Sequence, residues 1–214
     1  MSTATLVWAT PDAEKLVVKM ARVSNPENAE NWETGPRLLR YLIAHRHWSP
    51  YEMCSMCVKI ETERDIAAQI IRHRSFSFAE FSTRYSKTAP PEIPALRRQD
   101  TKNRQASHDD LNPETALHFE RMIGCQIRNL YLTYQEMLDA GIAKETARRI
   151  LPLCTPTTLY MSGTLRSWIH YLQLRCSDDT QLEHRLVANA IKDIFTTQFP
   201  IISEAAFPET DDSH

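Results

Sequence analysis

Between residues 72 and 86 the chain reads Arg72-His73-Arg74-Ser75-Phe76-Ser77-Phe78-Ala79-Glu80-Phe81-Ser82-Thr83-Arg84-Tyr85-Ser86, which places three arginines, five small hydroxyl residues, four aromatics and one carboxylate in fifteen positions. A guanidinium grips a phosphate with two parallel hydrogen bonds, and serine and threonine hydroxyls add further phosphate contacts. The chain holds only four glycines, at 35, 124, 141 and 163, so neither a dinucleotide-binding glycine turn nor a P-loop can be written in it. A phosphorylated ligand must then be held by arginine forks, and this cluster is the place to look.

The elements that must position the cluster follow from punctuation and periodicity. Thr10-Pro11 before AEKLVVKMARVS predicts a capped helix ending near Asn25-Pro26, and Leu38, Leu39, Leu42 and Ile43 form one stripe of a second helix that breaks at Trp48-Ser49-Pro50. Residues 52–62 read as a strand around Val58 and Ile60. A helix then follows in ERDIAAQIIRHR, with Ile66, Ile70 and Ile71 inward and Gln69, Arg72 and His73 together on the opposite face near its end. Residues 87–113, rich in proline, charge and short polar side chains, read as an irregular excursion. After Pro113 a long helix runs to Gly141, AKETARRIL makes a short helix stopping at Pro152, and two more follow in LRSWIHYLQLR and TQLEHRLVANAIKDIFTTQF. The class is α+β, helix-rich with a small antiparallel or mixed sheet, in one domain spanning 1–214.

Arg72-His73-Arg74, separated from Ser82 by seven residues, with Glu80 two before that serine and Arg84-Tyr85 just after it, is similar to the signature of flavin-dependent thymidylate synthases. Matching segments lie at 21–24 (ARVS), 47–52 (HWSPYE), 147–152 (ARRILP) and 166–175 (RSWIHYLQLR), followed by Gln181 and Glu183, so the resemblance spans roughly 15–195. It implies a homotetramer with active sites shared between subunits, in which FAD, reduced by NADPH, carries a methylene from methylenetetrahydrofolate to C5 of dUMP. By position in these motifs, Gln69, Arg72, Glu80, Phe81, Ser82, Thr83, Arg84, Arg148 and Arg175 would meet dUMP. Ser24, His47, Ser49, Glu52, Arg72, His73, Arg74, Glu80, Thr164, Leu165, Arg166 and His170 would lie along FAD. Ala79, Met53, Thr164 and His170 depart from the residues usual in the family at those places.

The residue types suit that task. Arg84 and Arg148 can neutralise a phosphate dianion, and a uracil ring that loses its N3 proton becomes an enolate-like anion that a fixed guanidinium stabilises, the role assigned to Arg175. Three other readings compete. A pyrimidine-nucleotide hydroxymethyltransferase on the same fold differs in product mass by one oxygen. Cys154 as an attacking thiolate, activated by Arg148 or Arg149, competes with its reading as a small buried thiol. An RNA- or single-strand-binding module would use the arginines with Phe76, Phe78, Phe81 and Tyr85, although at least two of these aromatics read equally as packing.

Composition bounds the rest. Twenty-five basic and 27 acidic residues leave a net charge of −2, which argues against a nucleic-acid-coating protein. No apolar run reaches the length of a membrane span and no secretory signal is readable, so a cytoplasmic location and no membrane partner are expected. The five cysteines suit a reducing compartment, and Cys54 and Cys57 have the spacing of half a zinc site without a second pair, so no metal is expected. Glu61, Glu63 and the tail Glu209–Asp212 read as solvated surface.

Overall fold

Two nine-residue strands form the spine of the computed structural model, which describes residues 2–208; the tail Glu209–Asp212 lies outside the described residues. In chain order the elements are β1 (Thr3–Ala9), α1 (Ala13–Ala21), α2 (Gly35–Ala44), β2 (Ser55–Glu63), α3 (Arg64–Ile70), β3 (Ser77–Glu80), β4 (Arg98–Gln99), β5 (Ser107–His108), α4 (Pro113–Asp139), α5 (Lys144–Ala147), β6 (Pro156–Thr164), α6 (Leu165–Arg175), α7 (Leu182–Gln198) and α8 (Pro200–Ala206). The sheet order is β1-β2-β6-β3, and every pairing is antiparallel. β2 and β6 pair along their full length, from Ser55 opposite Thr164 to Glu63 opposite Pro156.

Side-chain alternation decides which face is covered. Met56, Val58 and Ile60 of β2 and Leu159 and Met161 of β6 are fully buried under α3, α6 and α7, whereas Tyr160 faces out. Burying each such side chain contributes about 1.5–3 kcal/mol before entropy is counted. Two polar handles are satisfied inside this core: Trp168 Nε1 donates to the Met56 carbonyl at 3.0 Å, and the Tyr51 hydroxyl donates to the Leu39 carbonyl at 2.9 Å.

Both long strands run straight into a helix. Thr164 ends β6 and caps α6, its hydroxyl accepting from the Ser167 amide at 3.3 Å, while the Leu165 amide donates to the Cys54 carbonyl at 2.9 Å. Glu63 stands at the corresponding position before α3. Gly163 is required by close approach: a Cβ there would lie 2.4 Å from Cδ1 of Phe76.

The structure corrects several sequence-based expectations. Thr10 does not cap α1, because its hydroxyl is used to extend the β1–β2 ladder, accepting from the Ser55 amide at 2.9 Å; Asp12, at φ 49°, precedes the helix instead. α1 stops at Ala21, short of Asn25, since the buried Arg22 guanidinium turns to gather the Asn28 and Asn31 carbonyls and the Thr34 hydroxyl. α3 stops at Ile70, so Arg72 and His73 leave the helix in a turn and do not share its face with Gln69; Ile66 and Ile70 are buried, but Ile71 is 42% exposed. Strands β1, β3 and β6 were not expected, and neither was α8, which opens at Pro200 directly after the expected helix ends at Gln198. The excursion is irregular apart from a two-stranded ribbon of β4 and β5. Glu63, read as solvated, is half-buried, and burial raises its pKa, with the nearby Asp65 and Glu183 charges adding to the shift.

Candidate active site

The motif residues leave α3 in a turn and return along β3, which pairs with β6 through Ser77–Ser162 and Glu80–Leu159. This edge pairing aims Glu80 at the neighbouring strand, where its carboxylate accepts from the Thr157 hydroxyl at 3.0 Å. The chain then turns tightly. The Phe81 amide donates to the Thr158 carbonyl at 2.8 Å, and the Ser82 hydroxyl accepts from the Arg84 amide at 3.3 Å, holding Ser82, Thr83 and Arg84 in one bend.

Arg148 reaches this bend from the other side. It opens the short 3-10 turn Arg148–Ile150 after α5, and its Nη1 donates to the Thr83 hydroxyl at 3.3 Å, with Thr83 itself buried. The two meet in a cleft of about 180 Å³ that Arg64 and Arg149 also line. Arg64, which sequence reasoning did not single out, has its Nη1 buried without a hydrogen-bond partner, 3.8 Å from the Glu80 carboxylate. Donors therefore outnumber acceptors in the cleft, the balance an anion needs.

A second group forms at the C-terminal end of α6. Arg175, the last residue of that helix, donates through Nε to His73 Nε2 at 2.9 Å. A guanidinium can only donate, so His73 Nε2 carries a lone pair and the ring is neutral with its proton on Nδ1. Burial, then the Arg175 charge, then His170, lowers the His73 pKa to about 4. Behind it the fully buried Tyr171 ring stands edge-on at 4.9 Å, and its hydroxyl shares a 3.0 Å hydrogen bond with Nε2 of His184. Burial first, then the Arg175 and His73 charges, also holds His184 down to about 4. Tyr171 lies within the RSWIHYLQLR segment but was given no role there, and His184 carried no signal; only the fold brings α7 against α6.

The residues expected along the cofactor divide among three places. Glu52 and Arg166 form an ion pair that ties the turn Ser49–Glu52 to the start of α6. Exposed Ser49 stands in that turn, and exposed His170 lies one turn further along α6. His47 is exposed beside Tyr41, ring centroids 6.0 Å apart, after Arg46 turns the chain at φ 56°. Ser24 lines a cavity of about 450 Å³ with Arg22, Asn25, Thr34, Arg37 and Tyr41, the ring that stands beside His47. Arg72 and Arg74 point to solvent. The Leu165 side chain is fully buried and its amide is taken, so it offers a ligand at most its carbonyl.

The competing readings meet specific obstacles. Burial, then the Glu63 charge, pushes the Cys154 thiol up, the reverse of what an attacking thiolate needs. Cys54 is fully buried and its thiol donates to the Ala13 carbonyl at 3.7 Å. Of the motif aromatics, Phe76 packs in the core against Trp168 and Phe78 lies against it, while Tyr85 is 81% exposed.

Fold and site define a helix-rich α+β chain with an arginine-walled cleft at one edge of its sheet. The chain belongs to the Thy1 family, described as thymidylate synthase complementing protein, whose model matches residues 5–201. It is 49% identical over 199 residues to a probable flavin-dependent thymidylate synthase of Paramecium bursaria Chlorella virus 1, covering 90% of each chain. It is 48% identical over 192 residues to the flavin-dependent thymidylate synthase of Synechocystis, covering 90% of this chain and 88% of that one. Among solved structures, the UMP/dUMP methylase PolB from Streptomyces cacaoi bound with 5-Br dUMP superposes with a TM-score of 0.84 at 28% identity, covering 96% of this chain and 94% of that one.

Proposed function

We propose that this protein is a flavin-dependent thymidylate synthase that converts dUMP to dTMP, with FAD as cofactor and NADPH and methylenetetrahydrofolate as co-substrates. The observation that carries this reading is the arginine-walled cleft, in which Arg148 meets Thr83 while a buried Arg64 Nη1 has no hydrogen-bond partner. An excess of donors at a polar cleft fits a phosphate dianion.

The residues present also fit a flavin dinucleotide. Arg74, Arg166, His47 and His170 supply cations and imidazoles for a pyrophosphate and ring edges, and the cavity at Ser24 adds Arg37 and Tyr41. Ser24, His47, Ser49, Glu52, Arg72, His73, Arg74, Glu80, Thr164, Arg166, His170 and the Leu165 backbone would hold it. Bound flavin supplies the redox chemistry by which a methylene from methylenetetrahydrofolate reaches C5 of dUMP.

The chain's own residues bind and orient the nucleotide. Arg84, Arg148, Ser82 and Thr83 neutralise and hydrogen-bond the phosphate, while Gln69, Arg72, Glu80 and the Phe81 backbone align the nucleoside. Arg175 stabilises the negative charge that spreads over the uracil when N3 loses its proton. Neutral His73 keeps that guanidinium in place without competing for its charge. Assembly as a homotetramer is supported by α4, 27 residues long, of which only Ile127 and Tyr134 are buried while Leu117, Phe119, Met122 and Leu132 are exposed. A cytoplasmic setting is part of the same reading; among the described residues no helix is long and apolar enough to cross a membrane.

The test is the visible spectrum of the purified protein with FAD, before and after NADPH with dUMP present, followed by the mass of the nucleotide product. A flavin spectrum that bleaches, and a product heavier by one methylene unit, are expected. A product heavier still by one oxygen would make the enzyme a hydroxymethyltransferase. Failure to bind flavin would overturn the reading and make salt-dependent nucleic-acid binding the next measurement.

A further inference from the structure

The excursion 87–113 touches the nucleotide motif through one line of four polar side chains. Arg97, within the excursion, pairs through Nη1 with the Glu183 carboxylate at 2.7 Å, and both side chains are largely shielded, at 13% and 25% exposure. Glu183 also accepts from Gln181 Nε2 at 2.9 Å, and Gln181 Oε1 accepts from Gln69 Nε2 at 2.7 Å. Glu183 and Gln181 stand at the start of α7, and Gln69 stands in the last turn of α3.

The polarity of this line is forced by which groups can donate. Arg97 has only donors, and Glu183, when ionised, has only acceptors. Burial alone would raise the Glu183 pKa, but the hydrogen bonds from Arg97 and Gln181 outweigh it and hold the carboxyl below its ordinary value, so it is an anion at neutral pH. The end of Gln181 that faces Glu183 must therefore be its NH₂, which leaves its carbonyl to face Gln69. The end of Gln69 that faces Gln181 must then be its NH₂, which leaves the carbonyl oxygen at the other end of the Gln69 amide. Donor and acceptor matching alone makes this assignment, because any flip breaks a match in the line.

We propose that Arg97 is a positioning residue for substrate recognition: through Glu183 and Gln181 it fixes Gln69 as a hydrogen-bond acceptor that reads a sugar hydroxyl of the nucleotide. The inference rests on the nucleotide reading above. A free carbonyl oxygen selects donors, and of the groups on dUMP the phosphate oxygens and both uracil carbonyls are acceptors. The uracil N3–H is a donor, but it is the proton whose loss Arg175 favours, so the 3′-hydroxyl is the group left for Gln69 to read. Without Arg97 the line loses its anchor, Gln181 can rotate, and Gln69 presents either end with no preference.

The experiment measures binding and turnover of dUMP, and binding of the analogue lacking the 3′-hydroxyl, in the full-length flavin-loaded enzyme and in Arg97→Ala and Ser107→Ala. Ser107 accepts from Arg97 Nε at 2.9 Å within the excursion, so its variant unties Arg97 from the ribbon while leaving both partners of the Arg97–Glu183 ion pair in place. In the unaltered enzyme, loss of the 3′-hydroxyl should weaken binding about tenfold. Arg97→Ala should raise KM for dUMP about tenfold with kcat within about twofold, and in it loss of the 3′-hydroxyl should cost no more than about twofold. Ser107→Ala should match the unaltered enzyme. Equal dUMP binding by Arg97→Ala and the unaltered enzyme would overturn the proposal. So would a full tenfold cost of losing the hydroxyl in Arg97→Ala, or the same defect in Ser107→Ala, which would mark a ribbon that merely needs to be folded. If the unaltered enzyme binds flavin but no dUMP, the nucleotide reading itself falls and the inference with it.

Discussion

The end of α6 and the bend at Ser82–Arg84 use the same side chain in opposite ways. Arg175 is half-buried, its Nε tied to a neutral imidazole, with a tyrosine and a second neutral histidine packed behind. The Arg84 side chain is 62% exposed and its ion-pair partner among the described residues is Glu145, at 3.9 Å. A cation required at one spot when charge develops benefits from being fixed before the reaction, since no reorganisation is then needed. A cation that captures a diffusing dianion benefits from reach, and a loose surface pair costs little to give up. Arg148 is intermediate, anchored to buried Thr83 yet lining an open cleft.

This contrast can be broken by substitution. The largest expected effect is that of Arg175→Ala, which should lower kcat about a hundredfold or more, with dUMP affinity changed about threefold or less; single-turnover product formation and equilibrium binding separate the two. A loss confined to affinity would erase the distinction between the two regions. Next, Arg148→Ala should weaken dUMP binding about thirtyfold, and inorganic phosphate should protect the unaltered protein against thermal unfolding but not this variant.

The third expectation is about pH. His73 and His184 have folded-state pKa values lowered to about 4 from 6.5, so between those values the unfolded chain binds more protons than the folded one. Stability from their neutral forms is complete above about pH 6.5 and is lost as pH falls toward 4. Urea midpoints across that window should fall, and His184→Leu should flatten the dependence by about one proton. An unchanged slope in His184→Leu would mean that its ring is not held neutral. The smallest effect is that of Arg84→Ala, about threefold on dUMP binding, with the defect shrinking further at higher salt.

How much of this was legible in the sequence depends on how local each feature is. Helix α2 was read from its apolar stripe, α4 from Pro113 and Gly141 at its ends, and the Arg72–Tyr85 segment from residue types within one window. β6 was missed although Thr157, Leu159 and Met161 alternate on its buried face, because Pro156 and Gly163 near its ends are residues that weaken a strand pattern. β3 is four residues long and exists only through its pairing with β6. The helical face of Gln69, Arg72 and His73 failed because periodicity cannot show where a helix stops, and here it stops at Ile70. Arg64, Arg97 and His184 gave no signal at all, since each matters through a partner on a distant element: Glu80, Glu183 and Tyr171.

Gly163 and Phe76 carry a lesson about how this chain can vary. A methyl group at 163 would sit 2.4 Å from a ring that begins two residues after Arg74 and packs 4.7 Å from Trp168. Neither position can therefore be searched alone: Gly163→Ala should fail in this background and be rescued by a smaller residue at 76, at the expense of the anchor that follows Arg72-His73-Arg74. Random mutagenesis that samples single changes will find position 163 closed, while a paired library at 76 and 163 would reveal whether the motif turn tolerates another way of being held down.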